Sequence, residues 1–197
     1  MQILNLYAGY GSRTVINNLS LTIAPGDRLI IAGPNGCGKT TLLKCILGVI
    51  KPKSGKILLE SGETIAYCKQ DFPNASFPIT AEEVVAMGLG KNHKNSKARI
   101  DAALEKAGAT SLKGRLFYSL SGGERQKVSL ARCYCQEASI LLLDEPSSFL
   151  DSESRVAFIN QMKELERENF AIVAVTHDEE IINQLGWKTL RGEQWSI

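Results

Sequence analysis

Apolar residues alternate with polar ones near the start of the chain and merge into unbroken runs further on. Leu19, Leu21 and Ile23 fall at every second position, which predicts a strand over residues 14–23 with one buried face, after a shorter strand over 2–6. Pro25-Gly26-Asp27 reads as a turn. Arg28-Leu-Ile-Ile-Ala32 is continuously apolar after its first residue, the pattern of a strand buried on both faces at the centre of a parallel sheet. A glycine-rich loop follows, then a helix over residues 39–47, and short strands are predicted at 57–59 and 64–67.

Helical patterning dominates the middle of the chain. Thr80-Ala-Glu-Glu83 is a capping box for a helix ending near Met87, Ser96 opens a second helix reaching Ala107, and Ser121-Gly-Gly-Glu124 is a second capping box for a helix to about Gln136. Strands return at 140–143 and 171–175 with a helix over 152–168 between them. Strand, helix and strand with short links make a βαβ crossover and imply a parallel sheet. The expected fold is therefore α/β: one domain over residues 1–197, with a core of 1–75 and 138–197 and a helical insert of 76–137. Residues 51–70 leave little room for further antiparallel strands, and only a short tail is expected after His177.

At 197 residues and 44% hydrophobic content the chain can bury one full core. Twenty-three basic residues face 21 acidic ones, a net charge of +2 that gives no nucleic-acid footprint, and the basic stretch from Lys91 to Arg99 reads as a solvated loop leading into a helix. The five cysteines, Cys37, Cys45, Cys68, Cys133 and Cys135, show no CxxC spacing, which argues against a disulfide framework or zinc site and for a reducing compartment. No apolar run approaches the ~18 residues of a membrane span and no signal peptide opens the sequence, so membrane association is expected only through a partner.

Gly33-Pro34-Asn35-Gly36-Cys37-Gly38-Lys39-Thr40 fits the Gly-x-x-x-x-Gly-Lys-Ser/Thr pattern of a Walker A phosphate loop, and it lies between a buried strand and a helix. Its glycines let backbone N–H groups converge on phosphate oxygens while the helix points its positive end at the same anion. Lys39 can neutralise the β- and γ-phosphates, Thr40 can ligate Mg²⁺, and Thr41 can donate one more hydrogen bond; Cys37 needs only to be small. Ile140-Leu-Leu-Leu-Asp144-Glu145 is an apolar strand ending in two acids and resembles a Walker B motif. Asp144 can hold the Mg²⁺ shell opposite Thr40, and Glu145 can orient or deprotonate the attacking water.

Leu120-Ser121-Gly122-Gly123-Glu124-Arg125-Gln126 resembles the signature motif of ABC ATPases and is the most specific feature of the chain. It is a helix N-terminus, again suited to an anion, and a plain cap would not call for two consecutive glycines that each cost about 1 kcal/mol of helix propensity. The resemblance covers essentially the whole length, with the motifs in the family's order. It implies a P-loop NTPase core of ABC ATPase type with N-terminal antiparallel strands and a helical subdomain insert. It also implies a head-to-tail pair, homodimer or paired subunit, in which Ser121, Gly122 and Gly123 of one copy close on the γ-phosphate held by the other. Tyr10 of Gly9-Tyr10-Gly11 matches the aromatic residue that stacks on adenine, ahead of Tyr7. Gln70 matches the loop glutamine that senses metal and water. Ser147-Ser-Phe-Leu-Asp151 resembles the loop that signals across the dimer, although Phe149 stands where the family has a small residue. His177 matches the switch histidine at the γ-phosphate.

Together these residues lead to the expectation of an ATP- and Mg²⁺-dependent hydrolase. The resemblance implies the motor of an ABC transporter, on the cytoplasmic face of the membrane beside an integral permease. The segment Phe77-Pro-Ile-Thr-Ala-Glu-Glu-Val-Val-Ala-Met-Gly88 is similar in wording to ATPases of zinc, manganese and iron-chelate importers. Two rival readings are a non-transport ABC ATPase, for example of the iron–sulfur cluster assembly type, and a nucleotide switch that barely hydrolyses, against which Glu145 argues. Chromosome-maintenance ATPases share the signature but insert long coiled coils, for which residues 40–120 have no heptads.

Overall fold

The computed structural model describes residues 1–69, 78–90, 96–148 and 150–195. Two sheets organise them. Strands β1 (Gln2–Tyr10), β2 (Arg13–Thr22) and β4 (Ser54–Leu58) form an antiparallel sheet in the order β2-β1-β4. Strands β3 (Arg28–Ala32), β5 (Ile65–Cys68), β6 (Ile140–Asp144), β7 (Ala171–Thr176) and β8 (Lys188–Arg191) form a parallel sheet in the order β5-β6-β7-β3-β8.

The parallel sheet shows why the unbroken apolar runs are strands. Successive side chains of a strand point to opposite faces, and here both faces are covered. Leu29 and Ile31 of β3, Ile140 and Leu142 of β6, and Val173 and Val175 of β7 join one apolar cluster, with β1, β2 and helix α1 (Lys39–Ile46). The residues between them, Ile30, Leu141, Leu143, Ile172 and Ala174, join the other. That second cluster is completed by α2 (Ala81–Ala86), α3 (Ser96–Lys106), α4 (Gly122–Cys135), α5 (Ser152–Glu164) and α6 (Glu179–Leu185).

Both expected capping boxes form. Glu83 Oε2 accepts the Thr80 N–H at 2.8 Å, and Glu124 Oε2 accepts the Ser121 N–H at 2.8 Å while the Ser121 hydroxyl accepts the Glu124 N–H at 3.3 Å. The crossover β6-α5-β7 is parallel, with Ile140 paired to Ala171 and Asp144 to Val175.

Three expectations need correction. Residues 51–70 do hold an antiparallel strand, because β1 runs on to Tyr10 and offers its free edge to β4, pairing Ile3 with Ile57. The helix expected over 152–168 ends as α-helix at Glu164 and tightens into a 3₁₀ turn, Leu165–Arg167. The tail after His177 is structured: Asp178 caps α6 through the Glu180 and Ile181 N–H groups, and β8 then covers the outer edge of β3. Among the described residues no helix is long and apolar enough to cross a membrane.

Candidate active site

Because β3, β5, β6 and β7 are parallel, their C-terminal ends share one edge of the sheet, the usual place for a ligand crevice in an open α/β fold. A cleft of about 780 Å³ opens there. Among its lining residues are Asn35, Gly36, Gly38, Lys39, Thr40 and Thr41 from the loop after β3, Asp144 and Glu145 from the end of β6, and His177 from the end of β7.

The loop enters α1 through Gly38, whose φ of 103° lies in the region that L side chains rarely adopt. No side chain caps this helix and no acid sits in its first turn, so its leading N–H groups stay open to an anion. Lys39 is buried to 7% exposure, and its ammonium donates to the Gly33 carbonyl at 2.6 Å and the Pro34 carbonyl at 3.2 Å. Gly33, Pro34 and Cys37 do not line the cleft: the first two turn their carbonyls to Lys39, and Cys37 is buried behind the loop.

The carboxylates sit in a short network. Asp144 Oδ2 accepts the Tyr67 hydroxyl at 2.7 Å. Burial pushes the Asp144 carboxyl above its usual value, while the Tyr67 hydrogen bond and the charges of Lys69 and Lys39 oppose that push. Glu145 adopts a φ of 46°, with its N–H on the Val175 carbonyl at 2.8 Å. Its side chain meets His177 Nδ1 at 2.9 Å and accepts from the Thr176 hydroxyl at 3.3 Å. His177 itself is 56% exposed at the mouth of the cleft.

Tyr10 lies on the rim, 51% exposed, with the Lys44 ammonium 5.9 Å from its ring centroid. Tyr7 lies off the cleft, its backbone carbonyl bound to Lys53 N–H at 2.7 Å. Gln70 and Phe149 lie outside the described residues. Ser147 is buried and donates to Asp178 at 3.4 Å, and Asp151 caps α5 through the Ser154 N–H at 2.8 Å.

Ser121 and Gly122 are exposed and lie away from this cleft. Gly123 has a packing reason of its own: a Cβ there would stand 2.8 Å from the Ser154 hydroxyl of α5. Tyr67, Lys69, Arg13 and Val15 join the site without having been singled out from the sequence. Of these, Tyr67 offers one signal in the sequence: it carries the only polar tip in Ile65-Ala-Tyr-Cys68 apart from the thiol.

Comparison with known proteins adds a second line. Residues 16–148 match the family model described as ABC transporter. The chain is similar to the zinc import ATP-binding protein ZnuC of Roseobacter denitrificans, 37% identical over 175 residues that cover 88% of this chain and 67% of the relative. Among solved structures it resembles a metal-chelate type ABC transporter in an inward-facing conformation, with a TM-score of 0.89, 30% identity, and coverage of 99% of this chain and 80% of the other. It also resembles the dimeric ATP-binding cassette MJ0796 in a post-hydrolysis state bound to ADP and Pi, with a TM-score of 0.74, 25% identity, and coverage of 93% and 90%.

Proposed function

The chain belongs to the ABC transporter family, and from that premise we propose that it is the ATP-hydrolysing subunit that powers import through a membrane permease. The observation that carries the reading is the convergence of an uncapped, lysine-bearing helix start, two adjacent carboxylates and a histidine in one cleft. The zinc and metal-chelate relatives favour a metal ion or metal chelate as cargo, and they favour transport over cluster assembly. The same reading treats the chain as one ATPase domain, with a core of residues 1–75 and 138–197 and a helical subdomain of 76–137, working on the cytoplasmic face of the membrane.

In this mechanism the open N–H groups of Gly36, Gly38, Lys39, Thr40 and Thr41 cradle the phosphates, and Tyr10 supports adenine by stacking. Lys39 exchanges the loop carbonyls for phosphate oxygens. The Thr40 hydroxyl and the Asp144 carboxylate are hard oxygen donors of the kind Mg²⁺ takes with one or two carboxylates and substrate phosphates. Mg²⁺ bound there supplies charge neutralisation on the β- and γ-phosphates. Tyr67 holds the Asp144 carboxylate in place through its hydroxyl. Glu145 accepts a proton from, or orients, the attacking water, and His177 holds Glu145 on one side while facing the γ-phosphate on the other. Gln70 has its place in the motif order as its support.

Positioning and charge stabilisation carry most of the rate in such phosphoryl transfers. Ser121, Gly122 and Gly123 lie off the cleft of their own chain, which supports their use against the nucleotide of a facing copy. Phosphate release from MgATP tests the reading: the unaltered protein turns over, and Glu145→Gln does not. Equal turnover by both would overturn it.

A further inference from the structure

Trp195 is 1% exposed and sits behind the phosphate loop, on the side away from the cleft. Its indole Nε1 donates to the Cys37 carbonyl at 3.1 Å across 158 residues of sequence. Its own carbonyl accepts the Asn17 N–H at 2.8 Å, which fastens it to β2. A 3₁₀ turn, Gly192–Gln194, brings it there, and that turn is pressed so closely on the loop that a Cβ at Gly192 would lie 2.5 Å from Cys37 Sγ.

The consequence follows from the peptide unit between Cys37 and Gly38. A trans peptide directs its carbonyl and its N–H to opposite sides of one plane. Fixing the Cys37 carbonyl on the rear of the loop therefore fixes the Gly38 N–H towards the front, where Gly38 lines the cleft. Among the described residues that N–H meets no acceptor, whereas the preceding one, of Cys37, is used on the Pro34 carbonyl at 3.3 Å. Gly38 could otherwise rotate, because glycine has few steric limits; the indole removes that freedom.

We propose that Trp195 is a positioning residue for the phosphate loop, its indole N–H holding the Cys37 carbonyl so that the Gly38 N–H is aimed at a bound triphosphate. The proposal rests on the reading of the cleft as an ATP site. It assigns to an aromatic residue late in the chain a part in nucleotide affinity that its burial alone would not give it.

The test is Trp195→Phe, which keeps an aromatic ring in the space and removes the donor. Loss of one such hydrogen bond predicts binding of a fluorescent ATP analogue weaker by about five- to tenfold, and a matching rise in KM. Turnover at saturating ATP stays within about twofold, because the carboxylates are untouched. A merely structural role would lower the active fraction, and so kcat, with KM unchanged. Affinity within about 1.5-fold of the unaltered protein would overturn the proposal. Should Trp195→Phe fail to fold, Trp187→Phe leaves Trp195 as the sole tryptophan. Its emission is expected to change on adding MgATP, since phosphate on one end of the peptide polarises the hydrogen bond at the other. Unchanged emission at saturating MgATP would overturn the proposal too. Lys39→Ala separates the two levels: if it binds ATP normally the ATP-site reading falls, and if it loses binding while Trp195→Phe keeps it only the role of Trp195 falls.

Discussion

Helices α1 and α4 both begin at glycine-rich turns, yet their N-termini are finished in opposite ways. At α1 the cap is Gly38, there is no side-chain acceptor and no acid in the first turn. At α4 the Ser121 hydroxyl and the Glu124 carboxylate satisfy each other's backbone N–H groups, and Arg115 holds Glu124 at 2.5 Å. Four N–H groups at a helix start need partners. Helix α1 leaves that need for a ligand; α4 meets much of it internally and adds a negative charge where an anion would come. The difference separates two uses of one motif. The first end can hold a triphosphate by itself. The second can add only what its cap leaves free, such as the Ser121 hydroxyl proton, to an anion that another site already holds.

The largest effect should come from emptying the open end. Lys39→Ala removes the charge that offsets the phosphates, and turnover is expected to fall by about 10²-fold or more, measured as phosphate release from MgATP; near-normal turnover would mean that α1 is not the phosphate site. Next is Tyr67→Phe, which removes the hydroxyl on Asp144. A hydrogen bond to a charged group is worth more than a neutral one, so the Mg²⁺ concentration for half-maximal activity should rise about tenfold. An unchanged Mg²⁺ titration would detach Asp144 from the metal.

Backbone substitutions at the two caps sharpen the contrast further. Gly38→Ala must hold a φ of 103° and brings a Cβ to 2.8 Å from Val15, so a cost of about 1–2 kcal/mol and a melting point lower by several degrees are expected. Gly122 opens α4 without a positive φ, so Gly122→Ala gains helix propensity and its melting point should be kept or raised. The same sign at both positions in thermal unfolding would remove the distinction.

The smallest effect concerns acid. The Ser121 N–H, and then Arg115, hold the Glu124 carboxyl below its usual value of 4.5. A carboxyl lowered in the folded state contributes stability above its unfolded value and loses it as pH falls through the folded one. Glu124→Gln should therefore be less stable than the unaltered protein at neutral pH, with the gap closing as pH falls below 4.5 and through the lowered folded value, in urea unfolding read across pH. A gap that persists at low pH would show that the charge on Glu124 does not support the cap.

Much of this site is legible in the sequence alone, because a P-loop is a local object. Residues 33–41 carry their spacing, their helix and their lysine in one stretch, and Asp144 and Glu145 follow an apolar run that reads as a strand and is β6. What stayed hidden was contact across the sequence. Tyr67 reaches Asp144 from a neighbouring strand, and Trp195 reaches Cys37 by way of β8, which pairs with β3. Neither shows a periodicity or a spacing. Gly123 is a third case: the sequence cannot show that a Cβ there would stand 2.8 Å from the Ser154 hydroxyl of α5.

The central claim is that the open end of α1 in one molecule and the Ser121 cap in another enclose the same nucleotide. Sedimentation of the Glu145→Gln protein tests it most directly, since that change keeps the binding groups and removes the group that acts on water. With MgATP the account predicts a doubling of mass that ADP does not produce and that Ser121→Arg abolishes. A Glu145→Gln protein that binds MgATP and still sediments as a monomer would contradict it.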